Sequence, residues 1–413
     1  MSTVTARSGF DGPLTETQSA IADSIGSFSM KVMRPAGMLL DQMSPAEVIA
    51  AASPYWTLRR QFLDLGVGPA LLAGLPAEER ALLQSIIWES LGYGDAGLAV
   101  SLGSSLLPPS LALHFGNQFI AERFPAHLLG CWGFTEPDHG SEMLDVDRHA
   151  FAPDGVAARP NCTAVVRDGG LVINGQKSAW VSNGTIAEVC ALFCNFDAGA
   201  AGQGGAVIYV PLDAPGVSRG KPLDKIGQRS LNQGEIFFAN VRLPMDYLAV
   251  PPERYAAAVH LTVAYANAGM GAIFTGLAQA AYDLAFAYAH ERRQGGVPII
   301  RHQNVRYRLF HMFRKVEVAR AMTRRVIRYN ALRGSPALHG AIAAKITATQ
   351  TAFEVADAAV QLFGGCGLSR EYPVEKMLRD ARASLIEDGC NEFLAIKGGS
   401  LLVDPDLLPP GRS

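Results

Sequence analysis

Two changes of texture constrain this chain most. Helical patterning fills residues from about 12 to 129, stops near residue 130, and resumes near residue 247. In the first stretch, Ser44-Pro45-Ala46-Glu47 is a capping box with proline at the first helical position. Pro76-Ala77-Glu78-Glu79 opens a further helix, followed by Leu82, Leu83, Ile86 and Ile87 at helical spacing. Between about 130 and 246, short apolar runs alternate with glycine and proline. GGLVINGQK predicts a strand end with a turn at Asn174-Gly175; GGAVIYVPL and GEIFFANVRLP predict buried strands, the second ended by Pro244. Gly199 to Gly205 predicts a surface loop. From about 247, helices run through Gly276–His290 and His339–Phe363, the latter stopped by Gly364 and Gly365. The order predicts an α+β fold in three parts: an N-terminal helical domain (1–129), a middle β domain (130–246) and a C-terminal helical bundle (247–413).

A chain of 413 residues is long enough for two or three such units. A net charge of −2 without a basic block excludes a nucleic-acid footprint. The six cysteines form no CxxC pair, and Cys190 and Cys194 lack histidine partners at zinc spacing, so free thiols and no metal are expected. Residues 1–18 have no apolar core, and no run of about 18 apolar residues marks a membrane span. A cytoplasmic protein is expected. Gly364-Gly365-Cys366-Gly367 follows a helix, so it is no Rossmann fingerprint.

Four segments bear residues suited to chemistry. In CWGFTEPDHGSE (131–142), Thr135 offers a hydroxyl, while Pro137 and Gly140 shape a turn that exposes backbone N–H groups. INGQKSAWVSNGTIA (173–187) supplies Trp180 and Ser182. HERRQGGVPIIRHQ (290–303) supplies Arg292, whose guanidinium fork matches phosphate oxygens. QLFGGCGLSREYPVEKMLRDARASLIEDGCNEFL (361–394) contains glycines that allow close backbone approach, and a carboxylate pair at Glu387-Asp388.

Together, over roughly residues 80 to 400, these segments resemble the acyl-CoA dehydrogenase family. The first is similar to its T-E-P-x-x-G-S-D, with Glu142 for the final aspartate. The second is similar to N-G-x-K-x-W-I-T-N-G, with one extra residue between Lys177 and Trp180 and Ser182 for threonine. The third is similar to E-R-x-x-F-G-x-x-I-x-x-x-Q, with Gly295 for phenylalanine. The fourth is similar to Q-x-x-G-G-x-G-[FY]-x-x-E-[YF]-P-x-E-[KR]-x-x-R-D-A.

The resemblance implies FAD as cofactor. It places the flavin against Trp132, Phe134 and Thr135, with Ser141 near the phosphates or the thioester. It sets Trp180 beside the flavin and Ser182 near its N5 edge. Arg292 would bind the pyrophosphate, with His302 and Gln303 near it. Gln361, Gly364 and Gly365 would reach FAD across a subunit interface. Cys390, in place of threonine, and Glu392 fall at positions facing the cofactor, and Arg379 with Asp380 makes a structural ion pair. Asp388 falls where the family has the glutamate that removes the α-proton of an acyl thioester. Aspartate is shorter by about 1.5 Å, which suits a compact, branched or cyclic acyl group. Asn267 stands where the family's α-helix carries arginine.

The implied activity is α,β-desaturation of an acyl-CoA in fatty-acid metabolism, with electron transfer flavoprotein as acceptor and a homodimer or homotetramer as assembly. Two other readings stay open: a related flavin oxidase or monooxygenase like the nitroalkane oxidases, and a non-catalytic partner subunit.

Overall fold

The computed structural model describes residues 12–146, 160–199, 202–333 and 335–404. Eight helices come first: α1 (Glu16–Phe28), α2 (Arg34–Gln42), α3 (Pro45–Ile49), α4 (Pro54–Asp64), α5 (Pro69–Ala73), α6 (Ala77–Gly94), α7 (Ala96–Phe115) and α8 (Gln118–Arg123). The capping box at α3 forms as expected: the Ser44 side chain accepts from the Glu47 N–H, and the Glu47 carboxylate accepts from the Ser44 N–H.

The β region follows: β1 (Gly130–Gly133), β2 (Thr163–Arg167), β3 (Gly170–Lys177), β4 (Val189–Asp197), β5 (Gln203–Pro211), β6 (Val217–Arg219), β7 (Ile236–Pro244) and β8 (Leu248–Val250). They form one sheet in the order β6-β7-β3-β2-β4-β5-β8, with β1 also paired to β4. β1 and β2 both run parallel to β4, against its first and last residues respectively. This places the TEP segment, which follows β1, at the sheet's rim. β8 carries the sheet past residue 246, the expected boundary.

Two local expectations are corrected. Asn174-Gly175 is not a turn: β3 runs straight through it with a bulge, and the hairpin turns at Asp168-Gly169, both at positive φ. Gly175 is required there because a Cβ would sit 2.5 Å from the Cα of Cys162. Nor is all of Gly199 to Gly205 loop, since Gln203, Gly204 and Gly205 pair with β4. Tyr255 presses on Gly205, where a Cβ would meet its ring at 2.2 Å.

The C-terminal part comprises α9 (Pro252–Glu291), the hairpin β9 (Arg293–Gln294) and β10 (Val297–Pro298), α10 (Gln303–Leu332), α11 (Leu338–Phe363), α12 (Pro373–Ser384) and α13 (Asn391–Val403). By length and composition alone α7 and α9 could each cross a membrane, but most of each is buried inside this protein. α9 packs on α6, α10 and α11, and its inward face is mostly alanine, glycine and aliphatic side chains. Gly276 lets the α6 backbone approach, because a Cβ there would lie 2.0 Å from the Glu89 carbonyl oxygen.

Arg379 and Asp380 are structural but do not pair with each other. The Arg379 guanidinium grips Asp41 at 2.7 Å and Glu375 at 2.7 Å, while Asp380 accepts from Lys376, which also reaches Asp95 at 2.6 Å. Each side chain pairs with the residue four positions back on α12, Glu375 or Lys376, and through it or directly with an acid outside α12, Asp41 or Asp95.

Candidate active site

A cavity of about 490 Å³ lies between α5, α6, α7, α9 and α10. Its wall is mostly apolar, with Trp88, Leu107, Met270 and Ile273 on it and Trp132 contributed from β1. Among the described residues, Asp388 is its one carboxylate. The neighbouring Glu387 is not on this wall. Its buried Oε2 has no hydrogen-bond partner among the described residues, and burial pushes its carboxyl up to about 7.

The turn that presents Asp388 is held at four successive residues. Asp388 has φ +50° and Gly389 φ +91°, a conformation that costs an aspartate energy unless its surroundings fix it. Asn267, fully buried in α9, donates Nδ2 to the Asp388 carbonyl at 3.1 Å. Lys345, fully buried in α11, donates Nζ to the Gly389 carbonyl at 2.9 Å and to Asn391 Oδ1 at 2.7 Å. The Cys390 N–H donates to Ser141 Oγ at 3.0 Å. Burial pushes the Asp388 carboxyl up to about 6, against the opposing pull of Lys345. A carboxylate so placed is ionised at neutral pH yet basic enough to accept a carbon-bound proton.

Ser141 and Cys390 thus join the first and fourth sequence segments directly. The second joins them through Thr135, whose hydroxyl lies 2.7 Å from Ser178 Oγ. Gln233 Nε2 donates to the Trp180 carbonyl at 3.2 Å and to Ser182 Oγ at 3.4 Å. Trp180 is 63% exposed, a large apolar surface. Phe134 differs from expectation: its side chain is buried against Phe193, with ring centres 5.1 Å apart, so only its main chain can serve a ligand. Glu136 of the TEP segment is fully buried and pairs with Lys177 at 2.6 Å, a structural role.

The remaining residues gather elsewhere. Arg292 ends α9, and His302 and Gln303 open α10 beyond the β9–β10 hairpin. His302 Nε2 lies 3.1 Å from the Gln294 carbonyl. Tyr288 stacks on Phe363 at 3.9 Å, which brings Gln361, Gly364 and Gly365, at the end of α11, to the same end of the bundle. Arg292, Gln303, Gln361, Gly364 and Gly365 are all exposed, and no Cβ neighbour crowds either glycine. From Asn267 to Arg292, α9 advances roughly 37 Å. Glu392, exposed at the start of α13, adjoins the Asp388 turn.

Sequence reasoning missed Lys345 and the hold that Asn267 has on Asp388. The one signal was a lysine inside the apolar run Ala341-Ile342-Ala343-Ala344-Lys345-Ile346.

Residues 131–241 match the acyl-CoA dehydrogenase middle domain and residues 257–397 the acyl-CoA dehydrogenase C-terminal domain. The short-chain specific acyl-CoA dehydrogenase of Megasphaera elsdenii is 30% identical over 76% of this chain and 80% of its own. The cyclohex-1-ene-1-carbonyl-CoA dehydrogenase of Geobacter metallireducens is 28% identical over 95% and 99%. The solved butyryl-CoA dehydrogenase of Megasphaera elsdenii superposes with a TM-score of 0.82 at 26% identity, covering 96% of this chain and 100% of that one.

Proposed function

Since the chain belongs to the acyl-CoA dehydrogenase family, we propose that it is an FAD-dependent acyl-CoA dehydrogenase in which Asp388 is the base. The observation that carries this reading is the place of Asp388: a desolvated carboxylate on an apolar cavity of substrate size, fixed by Asn267, Lys345 and Ser141.

The donor set suits FAD. Trp180 offers an exposed indole face, and the hydroxyls of Thr135, Ser178 and Ser182 lie beside it. These residues would hold FAD, which would supply the acceptor for the hydride leaving Cβ of the acyl group. Asp388 takes the α-proton and holds it as a neutral acid, a state its burial favours. The apolar wall excludes water, which strengthens every polar contact to the thioester.

The second set of phosphate-binding residues supports an assembly. Arg292 lies roughly 37 Å along α9 from Asn267, which holds Asp388, too far to serve the same cofactor within one chain. A homodimer or homotetramer brings one copy's Arg292 end to the other's Asp388 end. Exposed aromatics on α9 and α10, Phe286, Tyr307 and Phe310, suit burial in such an interface. Co-assembly tests this. Chains with Asp388→Asn and chains with Arg292→Ala, each inactive alone, should recover activity when expressed together, because some shared sites then hold both native residues. No recovery in a mixed oligomer would contradict a shared site.

Electron transfer flavoprotein as acceptor, a place in fatty-acid metabolism and a cytoplasmic location belong to the same reading. For the acyl group we favour a compact, branched or cyclic chain. Aspartate reaches less far than glutamate, so the α-carbon must come close to the Asp388 turn. The Geobacter metallireducens relative is named for a cyclic acyl-CoA. Cyclic or α-branched acyl-CoAs should exceed straight chains of equal carbon number in kcat/KM by about tenfold or more. A straight-chain preference would overturn this part of the reading.

A further inference from the structure

Lys345 is among the largest side chains that the fold buries completely. Among the described residues it forms no direct ion pair: its Nζ contacts only the Gly389 carbonyl and the amide oxygen of Asn391. Burying an ammonium without a carboxylate in contact is costly, and the loop could be tied by an uncharged donor, as Asn267 ties Asp388. The charge therefore needs a reason beyond the hydrogen bonds.

We propose that Lys345 is the positioning residue of the base: its ammonium fixes the Gly389–Asn391 turn and supplies the positive charge that keeps the Asp388 carboxylate ionised and ready. This rests on Asp388 being the base. The carboxylates facing Lys345 are Asp388, Glu387 and Glu392, with the Cys390 thiol nearby, and α9 contributes only the neutral Asn267. For Asp388, Lys345 is the cation that opposes burial. Burial pulls Lys345 itself down to about 8. It is therefore still charged over the range in which a carboxyl near 6 titrates. Asn391 extends the hold into α11, its Nδ2 donating to Thr349 Oγ1 at 3.1 Å.

The test reads Asp388 directly and activity separately. The carboxyl C=O infrared band that disappears in Asp388→Asn reports the protonation midpoint of Asp388 in the holoenzyme. In Lys345→Met the midpoint should rise to a proton concentration about tenfold or more lower. For a tenfold displacement kcat/KM at pH 7 should fall about twofold, and more for a larger one, recovering toward the native value at pH 9. Lys345→Gln keeps a donor without the charge and guards against loss of the fold; it should show the same displacement. A midpoint unmoved in both variants overturns the proposal, whatever happens to stability. A midpoint that rises without any change in the pH dependence of kcat/KM supports the Lys345 effect on Asp388 and instead contradicts Asp388 as base.

Discussion

Asp388→Asn should slow reduction of the bound flavin by acyl-CoA about 10²–10⁴-fold, the range lost with a general base. Asparagine has the same shape, so the cavity wall and the turn held by Asn267, Lys345 and Ser141 stay as they are. Binding should therefore change little, and the loss should appear in the rate constant measured by rapid mixing under anaerobic conditions. No other described carboxylate faces the cavity. Glu387 lies in the same turn but is absent from that wall, so it offers no rescue. The native enzyme should show a matching pH dependence. Its base accepts a proton only when ionised, and its carboxyl sits at about 6. The reduction rate should therefore rise between about pH 5 and 7 and level off above. An Asp388→Asn variant that reduces its flavin at the native rate would remove Asp388 from the mechanism.

The largest effect on stability is expected at Glu136→Ala. Glu136 and Lys177 are paired at 2.6 Å with neither side chain exposed. The carboxylate also accepts from the Cys162 N–H at 3.1 Å, tying the TEP segment to the start of β2. Lys177 otherwise has only the Phe134 carbonyl, at 3.0 Å. Removing the acid leaves a buried ammonium without its counter-charge, at a cost of about 3–5 kcal/mol. Urea unfolding followed through the β-sheet signal measures it. The double variant Glu136→Ala with Lys177→Met should recover much of the loss, because no unpaired charge then remains. Equal losses in the single and double variants would show that the backbone tie to β2, not the ion pair, holds this region.

The three-part order of the fold was legible because each part has its own period and punctuation. The α3 capping box and the stop at Gly364 could be read from a few adjacent residues, and both form. Asn174-Gly175 misled because the same dipeptide that favours a hairpin turn also fits a bulge, and only the packing of Cys162 against Gly175 decides between them. Arg379 and Asp380 misled because neighbours in a helix point apart: each pairs instead with the residue four back, Glu375 or Lys376, and with a group outside α12, Asp41 or Gln228. The resemblance of the fourth segment singled out Asp388, and the structure sets that residue on the cavity wall. The groups that hold it were not legible, since Asn267 and Lys345 come from helices whose packing no local pattern records.

The most direct test of the central claim is to mix the purified holoprotein, without oxygen, with a panel of acyl-CoAs and record the visible spectrum. The flavin absorbance should bleach, and the matching α,β-unsaturated acyl-CoA should form in equal amount. Bleaching should be fastest with compact, cyclic or branched acyl groups. A flavin that stays oxidised with every thioester would contradict the account.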